Sequence, residues 1–112
     1  ILLPDSKMAL NGDVNEYKFA DTAIQRLLYN LEAYGCSRYR LVAKISGGSN
    51  MFISQGKSVG EKNIEAVKRE LARLHIKIVA EDTGGNHGRT LEFHTTNGSL
   101  IVKSVAKGNI EI

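Results

Sequence analysis

Residues 76–103 read IKIVAEDTGGNHGRTLEFHTTNGSLIVK, and three backbone patterns follow one another in this stretch. Ile76 to Ala80 is short and nearly all apolar, which reads as a strand covered on both faces. Thr83-Gly84-Gly85-Asn86-His87-Gly88 is a glycine-rich loop. Arg89 to His94 then alternates, with Leu91 and Phe93 on one face. Asn97-Gly98 is a type I′ hairpin signal, and Leu100 to Val105 reads as the returning partner strand.

Upstream, the same grammar repeats with helices. Phe19 to Tyr34 places Ala20, Ala23, Ile24, Leu27, Leu28 and Leu31 at helical spacing, and Gly35 follows as a left-handed stop. Leu41 to Ile45 is a short strand that breaks at Gly47-Gly48-Ser49-Asn50, with Met51 and Phe52 just behind. Ser58-Val59-Gly60-Glu61 has the form of a capping box. The helix it opens runs to about His75, with Ile64, Val67, Leu71 and Leu74 as its buried stripe. Asp5 to Lys18 is polar, carries turn chemistry at Asn11-Gly12-Asp13, and reads as a long loop. Strands alternating with helices and ending in a hairpin predict an α/β (α+β layered) domain over 1–112: a mixed sheet with two main helices packed on it. Ile1-Leu2-Leu3-Pro4 reads as the end of a buried strand closed by Pro4. A preceding segment is therefore expected, and the sheet is expected to be incomplete at its N-terminal end.

Composition narrows the function classes. The chain has 112 residues, 42% hydrophobic and 24% charged, which suits one soluble domain. Fifteen basic residues against twelve acidic give +3, and the two signs alternate along the chain, so no nucleic-acid partner is implied. No apolar run approaches the ~20 residues of a membrane span. The single cysteine, Cys36, rules out an internal disulfide and fits a reducing, cytoplasmic setting.

Candidate chemistry is sparse. Cys36 follows a helix C-terminus, whose partial negative charge disfavours a thiolate, and no histidine is near it in sequence, so it reads as a half-buried structural cysteine. His75, His87 and His94 match no zinc spacing, and no metal or cofactor is expected. His87 stands out only because it lies inside a glycine loop. Both glycine loops follow strands, where α/β domains place their sites, yet neither is a P-loop or a G-x-G-x-x-G. Met51 and Phe52 read as core filler or as the floor of a protein-binding groove.

Taken together, LPDS at 3–6, KFADTAIQRLL at 18–28, RLVAKISGGSNMF at 40–52, VGEKNIEAVKREL at 59–71 and the stretch at 76–103 resemble the CheD family. The family comprises chemoreceptor glutamine deamidases of bacterial and archaeal chemotaxis. The likeness runs from Leu3 to about Val105, and the segments K-I-x-G-G-x-N-M-F and A-E-D-T-G-G-N-x-G-R carry most of it. It implies an enzyme that hydrolyses selected glutamine side-chain amides on methyl-accepting receptor helices through a cysteine nucleophile, a histidine base and a hydroxyl-bearing third residue. By the family pattern all three would stand before Ile1, so the 112 residues alone are expected to be inactive. Gly47, Gly48, Asn50, Met51 and Phe52 match one signature loop, and Gly84, Gly85 and Asn86 the other. With His87 they are the expected receptor- or partner-binding residues. The resemblance also implies a CheC-type phosphatase as partner, and with it an alternative reading: a non-catalytic module that regulates that phosphatase.

Overall fold

A computed structural model describes residues 1–13, 15–51 and 56–112. Two helices are present, α1 (Ala20–Ala33) and α2 (Val59–Arg73). Five strands accompany them: β1 (Val42–Gly47), β2 (Lys77–Thr83), β3 (Thr90–His94), β4 (Ser99–Ser104) and β5 (Gly108–Glu111). The α+β layered class is therefore as expected. Both kinds of pairing occur, in two hydrogen-bonded sets: β1 and β2 pair in parallel, and β3, β4 and β5 form an antiparallel order β3-β4-β5.

The parallel pair is a strand–helix–strand unit. β1 leads into α2, which returns the chain to β2 alongside β1. Ser58 caps α2 by accepting the Glu61 N–H at 3.1 Å, the hydroxyl half of the capping box. Ile24 and Leu28 of α1, Leu71 of α2 and Ile76 form the buried core, with Leu41, Ala43, Ile45, Val67, Leu74 and Ile78 packed against them. Each side chain fully buried there contributes about 1.5–3 kcal/mol. Between the helices, the buried Glu70 carboxylate accepts from Gln25 Nε2 at 3.0 Å and pairs with Arg73. These bonds, with Arg73 foremost, hold its pKa below the usual glutamate value.

Several expectations need correcting. Leu27 lies off the buried stripe of α1 and is 54% exposed. β2 is not covered on both faces, because the core takes Ile76 and Ile78 while Lys77, Val79 and Glu81 are exposed. The β3–β4 hairpin pairs Leu91 with Val102 and Phe93 with Leu100 as the alternation predicts. Its turn, however, spans Thr95–Gly98, and only Gly98 has a positive φ, at 73°, so the type I′ geometry is absent. Ile1 and Leu2 are exposed rather than buried, and Leu3 forms one parallel bridge with Phe19. The polar stretch from Asp5 to Lys18 contains two short 3-10 turns, Ser6–Met8 and Glu16–Lys18. The Asp21 carboxylate fastens the first of them to α1 by accepting from Ser6 N at 2.9 Å and Ser6 Oγ at 2.7 Å.

Lys44 ties the two sheets together. From β1 its ammonium donates to Gly98 O at 2.6 Å and to Ile112 O at 2.7 Å. Among the described residues, no helix is long and apolar enough to cross a membrane.

Candidate functional site

β1 and β2 run side by side and end together at the Gly47–Thr83 pair. The two glycine loops therefore leave the sheet at neighbouring points. Gly47, Gly48, Gly84 and Gly85 all adopt positive φ, at 111°, 72°, 81° and 74°. Side chains are disfavoured in that region, so glycine lets the two segments fold back here without strain.

The loops are joined by backbone bonds. Gly84 N–H donates to Gly47 O at 2.9 Å, and Asn50 N–H donates to Gly85 O at 2.9 Å. A side-chain network reinforces them. Ser49 Oγ lies 2.6 Å from His87 O and 3.2 Å from Gly84 O. Having one proton to give, the hydroxyl donates to the nearer His87 carbonyl. Arg89 completes the network. Its Nε donates to Asp82 Oδ2 at 2.9 Å, Nη1 to Ser49 Oγ at 2.7 Å and Nη2 to Gly84 O at 2.9 Å. The Arg89 side chain is only 5% exposed, and Asp82 neutralises it at the end of β2.

One side of this assembly opens as a groove of about 510 Å³, lined by Leu2, Gly48, Asn50, Met51, Ser58 and Asn63 among others. Its floor is unusually close-set. Gly48 meets Gly60 in the first turn of α2, where a Cβ on Gly60 would lie 2.5 Å from Ser49 O. The groove wall is thereby seated on a helix N-terminus, whose unpaired amides carry partial positive charge. Lys57, at the rim, pairs with Glu65 at 2.7 Å, which raises its pKa and keeps it charged.

The expected site residues are distributed as follows. Gly47, Gly48 and Asn50 meet Gly84 and Gly85 through the bonds above, and Met51 is 62% exposed at the groove, so it is not core filler. Phe52 lies outside the described residues. Asn86 is exposed on the second loop. His87 does not line the groove. It opens on a separate cleft of about 720 Å³ with Thr90, Lys103, Val105 and Asn109. Three residues that sequence reasoning did not single out build the site: Ser49, Asp82 and Arg89. The available signal was a hydroxyl inside the first loop and an arginine directly after the second.

No nucleophile–base pair forms among the described residues. Cys36 is exposed, which overturns the half-buried reading; it lies just past the left-handed Gly35 that ends α1. The only hydrogen bond to a histidine ring among them is His94 Nε2 with Glu92 at 2.8 Å. No three His, Cys, Asp or Glu side chains gather there in a way that could hold a metal. The groove is lined by the polar residues Asn50, Lys57, Ser58 and Asn63 and by the exposed thioether of Met51.

Comparison with known proteins gives a consistent result. The family model for CheD chemotactic sensory transduction matches residues 2–104. The chemoreceptor glutamine deamidase CheD of Halalkalibacterium halodurans is 44% identical over 116 aligned residues, covering 100% of this chain and 72% of that protein. The corresponding protein of Bacillus licheniformis is 41% identical over 112 residues, covering 96% of this chain and 67% of its own length. That of Thermotoga maritima is 43% identical over 109 residues, again covering 96% and 67%.

Proposed function

The chain belongs to the CheD family, and we propose that it forms the receptor-binding part of a chemoreceptor glutamine deamidase. The reaction converts selected glutamine side chains on receptor signalling helices to glutamate, releasing ammonia. A cysteine thiolate attacks the carboxamide carbon and the C–N bond breaks as the nitrogen leaves protonated. Water then hydrolyses the thioester, giving the carboxylate and restoring the thiol. In this reading the nucleophile and the histidine base come from residues outside the 112, Gly47, Gly48, Asn50, Met51, Phe52, Gly84, Gly85 and Asn86 serve substrate or partner binding, and His87 does so from the second cleft.

The observation that carries the reading is the junction of the two glycine loops. The segments most telling of the family are hydrogen-bonded to each other at the carboxyl ends of β1 and β2. Beside them lies a groove that exposes Met51. An amphipathic receptor helix laid into such a groove would present its glutamine to the reacting groups. A CheC-type phosphatase is proposed to compete for the same surface.

The test uses the full-length protein and a receptor signalling-domain fragment, with peptide mass spectrometry reading amide-to-acid conversion. Conversion at discrete glutamines is expected, together with its persistence in a Cys36→Ser variant and its loss when the 112 residues are used alone. Absence of conversion by the full-length protein refutes the enzyme reading. Binding of the phosphatase without conversion would select the regulatory one.

A further inference from the structure

We propose that Arg89 is a positioning residue for the groove: its guanidinium clamps the Gly84 loop onto Ser49 and so holds the Gly48–Asn50 wall in the form a receptor helix binds. The inference rests on the reading of that groove as the receptor-binding surface.

An arginine 5% exposed has given up most of its hydration, and Asp82 alone would satisfy only one edge of it. The remaining donors are spent on two different loops, Ser49 Oγ from one and Gly84 O from the other. Both acceptors lie next to the inter-loop backbone bonds. Ser49 precedes Asn50, whose N–H donates to Gly85 O, and Gly84 itself donates to Gly47 O. Ser49 passes the restraint on, because it accepts from Arg89 and donates to the His87 carbonyl. One planar fork therefore fixes residues 49, 82 and 84 directly and 87 through one hydroxyl. Lysine in the same place keeps the charge beside Asp82 but cannot span three acceptors set at fixed angles.

Arg89 touches no groove opening itself. It lines the second cleft, with His87 and Thr90, and is bonded to the wall through Ser49. Its loss should therefore weaken receptor binding and leave the chemical step alone. A purely structural role makes a different prediction: less folded enzyme lowers apparent kcat in proportion and leaves KM where it was.

The experiment compares full-length wild-type protein with Arg89→Lys on a receptor signalling-domain fragment. KM is expected to rise about tenfold while kcat per folded molecule stays within about twofold. In parallel, hydrogen exchange at the Asn50 and Gly84 amides should accelerate in the variant relative to the amides of α1. An unchanged KM, or unchanged exchange at those two amides, overturns the proposal. Where Arg89→Lys does not fold, Ser49→Ala takes its place. It removes one acceptor, keeps the Asp82 pair, and should raise KM about threefold; no rise refutes the clamp. The exchange measurement needs no substrate. It therefore decides the clamp even where wild-type protein shows no deamidation, an outcome that would count against the enzyme reading separately.

Discussion

Gly48 and Gly84 stand on the two loops that meet at the ends of β1 and β2, with φ of 72° and 81°. Their surroundings differ. A Cβ on Gly48 would lie 2.5 Å from Ile64 Cδ1 and 3.1 Å from Gly60 O, whereas one on Gly84 would meet nothing within 4 Å. The first loop is packed against α2, backbone on backbone. The second needs glycine only for its turn, and its position is set by hydrogen bonds to the first. The loop that lines the groove is thus fixed by excluded volume, and the loop bonded to it by polar contacts. Close packing tolerates substitution poorly and is indifferent to salt. A hydrogen-bonded loop tolerates a side chain but depends on its partners.

Gly60 offers the strongest way to break this comparison. It is helical, so alanine there would ordinarily stabilise by about 1 kcal/mol. Its Cβ, however, would sit 2.5 Å from Ser49 O and 2.7 Å from Gly48 C, both of them backbone atoms that cannot rotate away. Gly60→Ala is expected to lose about 3 kcal/mol, read as a lower urea midpoint. A midpoint equal to wild type would mean that the loop is not seated on α2.

Paired substitutions on the two loops sharpen it. Gly48→Ala combines the left-handed penalty with displacement of Ile64 and should lose about 2 kcal/mol. Gly84→Ala carries the backbone penalty alone, about 1 kcal/mol. Adding Ile64→Ala discriminates further. In a double-mutant cycle Ile64 should couple to Gly48 by about 1 kcal/mol and to Gly84 not at all. Equal coupling to both would erase the distinction between a packed and a hydrogen-bonded loop.

Periodic features of the fold were legible in the sequence, and features that depend on distant partners were not. The apolar spacing of Ile24 and Leu28, and of Ile64, Val67, Leu71 and Leu74, located both helices, and Ser58 marked the start of α2; of the expected α2 stripe Leu71 is buried and the other three are partly buried, while Ala66 and Glu70 are buried beside it. β5 escaped notice because Gly108-Asn109-Ile110-Glu111 has one apolar residue and becomes a strand only by pairing with β4. The exposure of Val79 was equally hidden, since an apolar run gives no sign of how many layers will cover it. In the site, the glycines announced two loops but not their union. Arg89, Ser49 and Asp82 are 7 to 40 residues apart in sequence, and neither periodicity nor a local motif predicts that one guanidinium will gather them.

The smallest expected effect concerns a position that would suit glycine and lacks it. Both helices end in the same way. Cys36 N–H donates to Leu31 O and Gly35 N–H to Glu32 O after α1, just as Ile76 N–H donates to Leu71 O and His75 N–H to Ala72 O after α2. Each pair of bonds is a Schellman closure, which requires a left-handed residue at the first position past the cap. α1 supplies Gly35 at φ 95°, while α2 supplies His75 at φ 59°, the only non-glycine with positive φ among the described residues. The strain is tolerated because Ile76 is thereby packed into the core beside Leu71. His75→Gly relieves the side-chain strain but gives the unfolded chain more freedom, so the net gain should be only about 0.5 kcal/mol. The mirror substitution Gly35→Ala should lose about 1 kcal/mol at the other helix end. Thermal melts of the two variants, measured side by side, should move in opposite directions. If His75→Gly melts lower than wild type, the imidazole contributes something at the end of α2 that the backbone geometry does not account for.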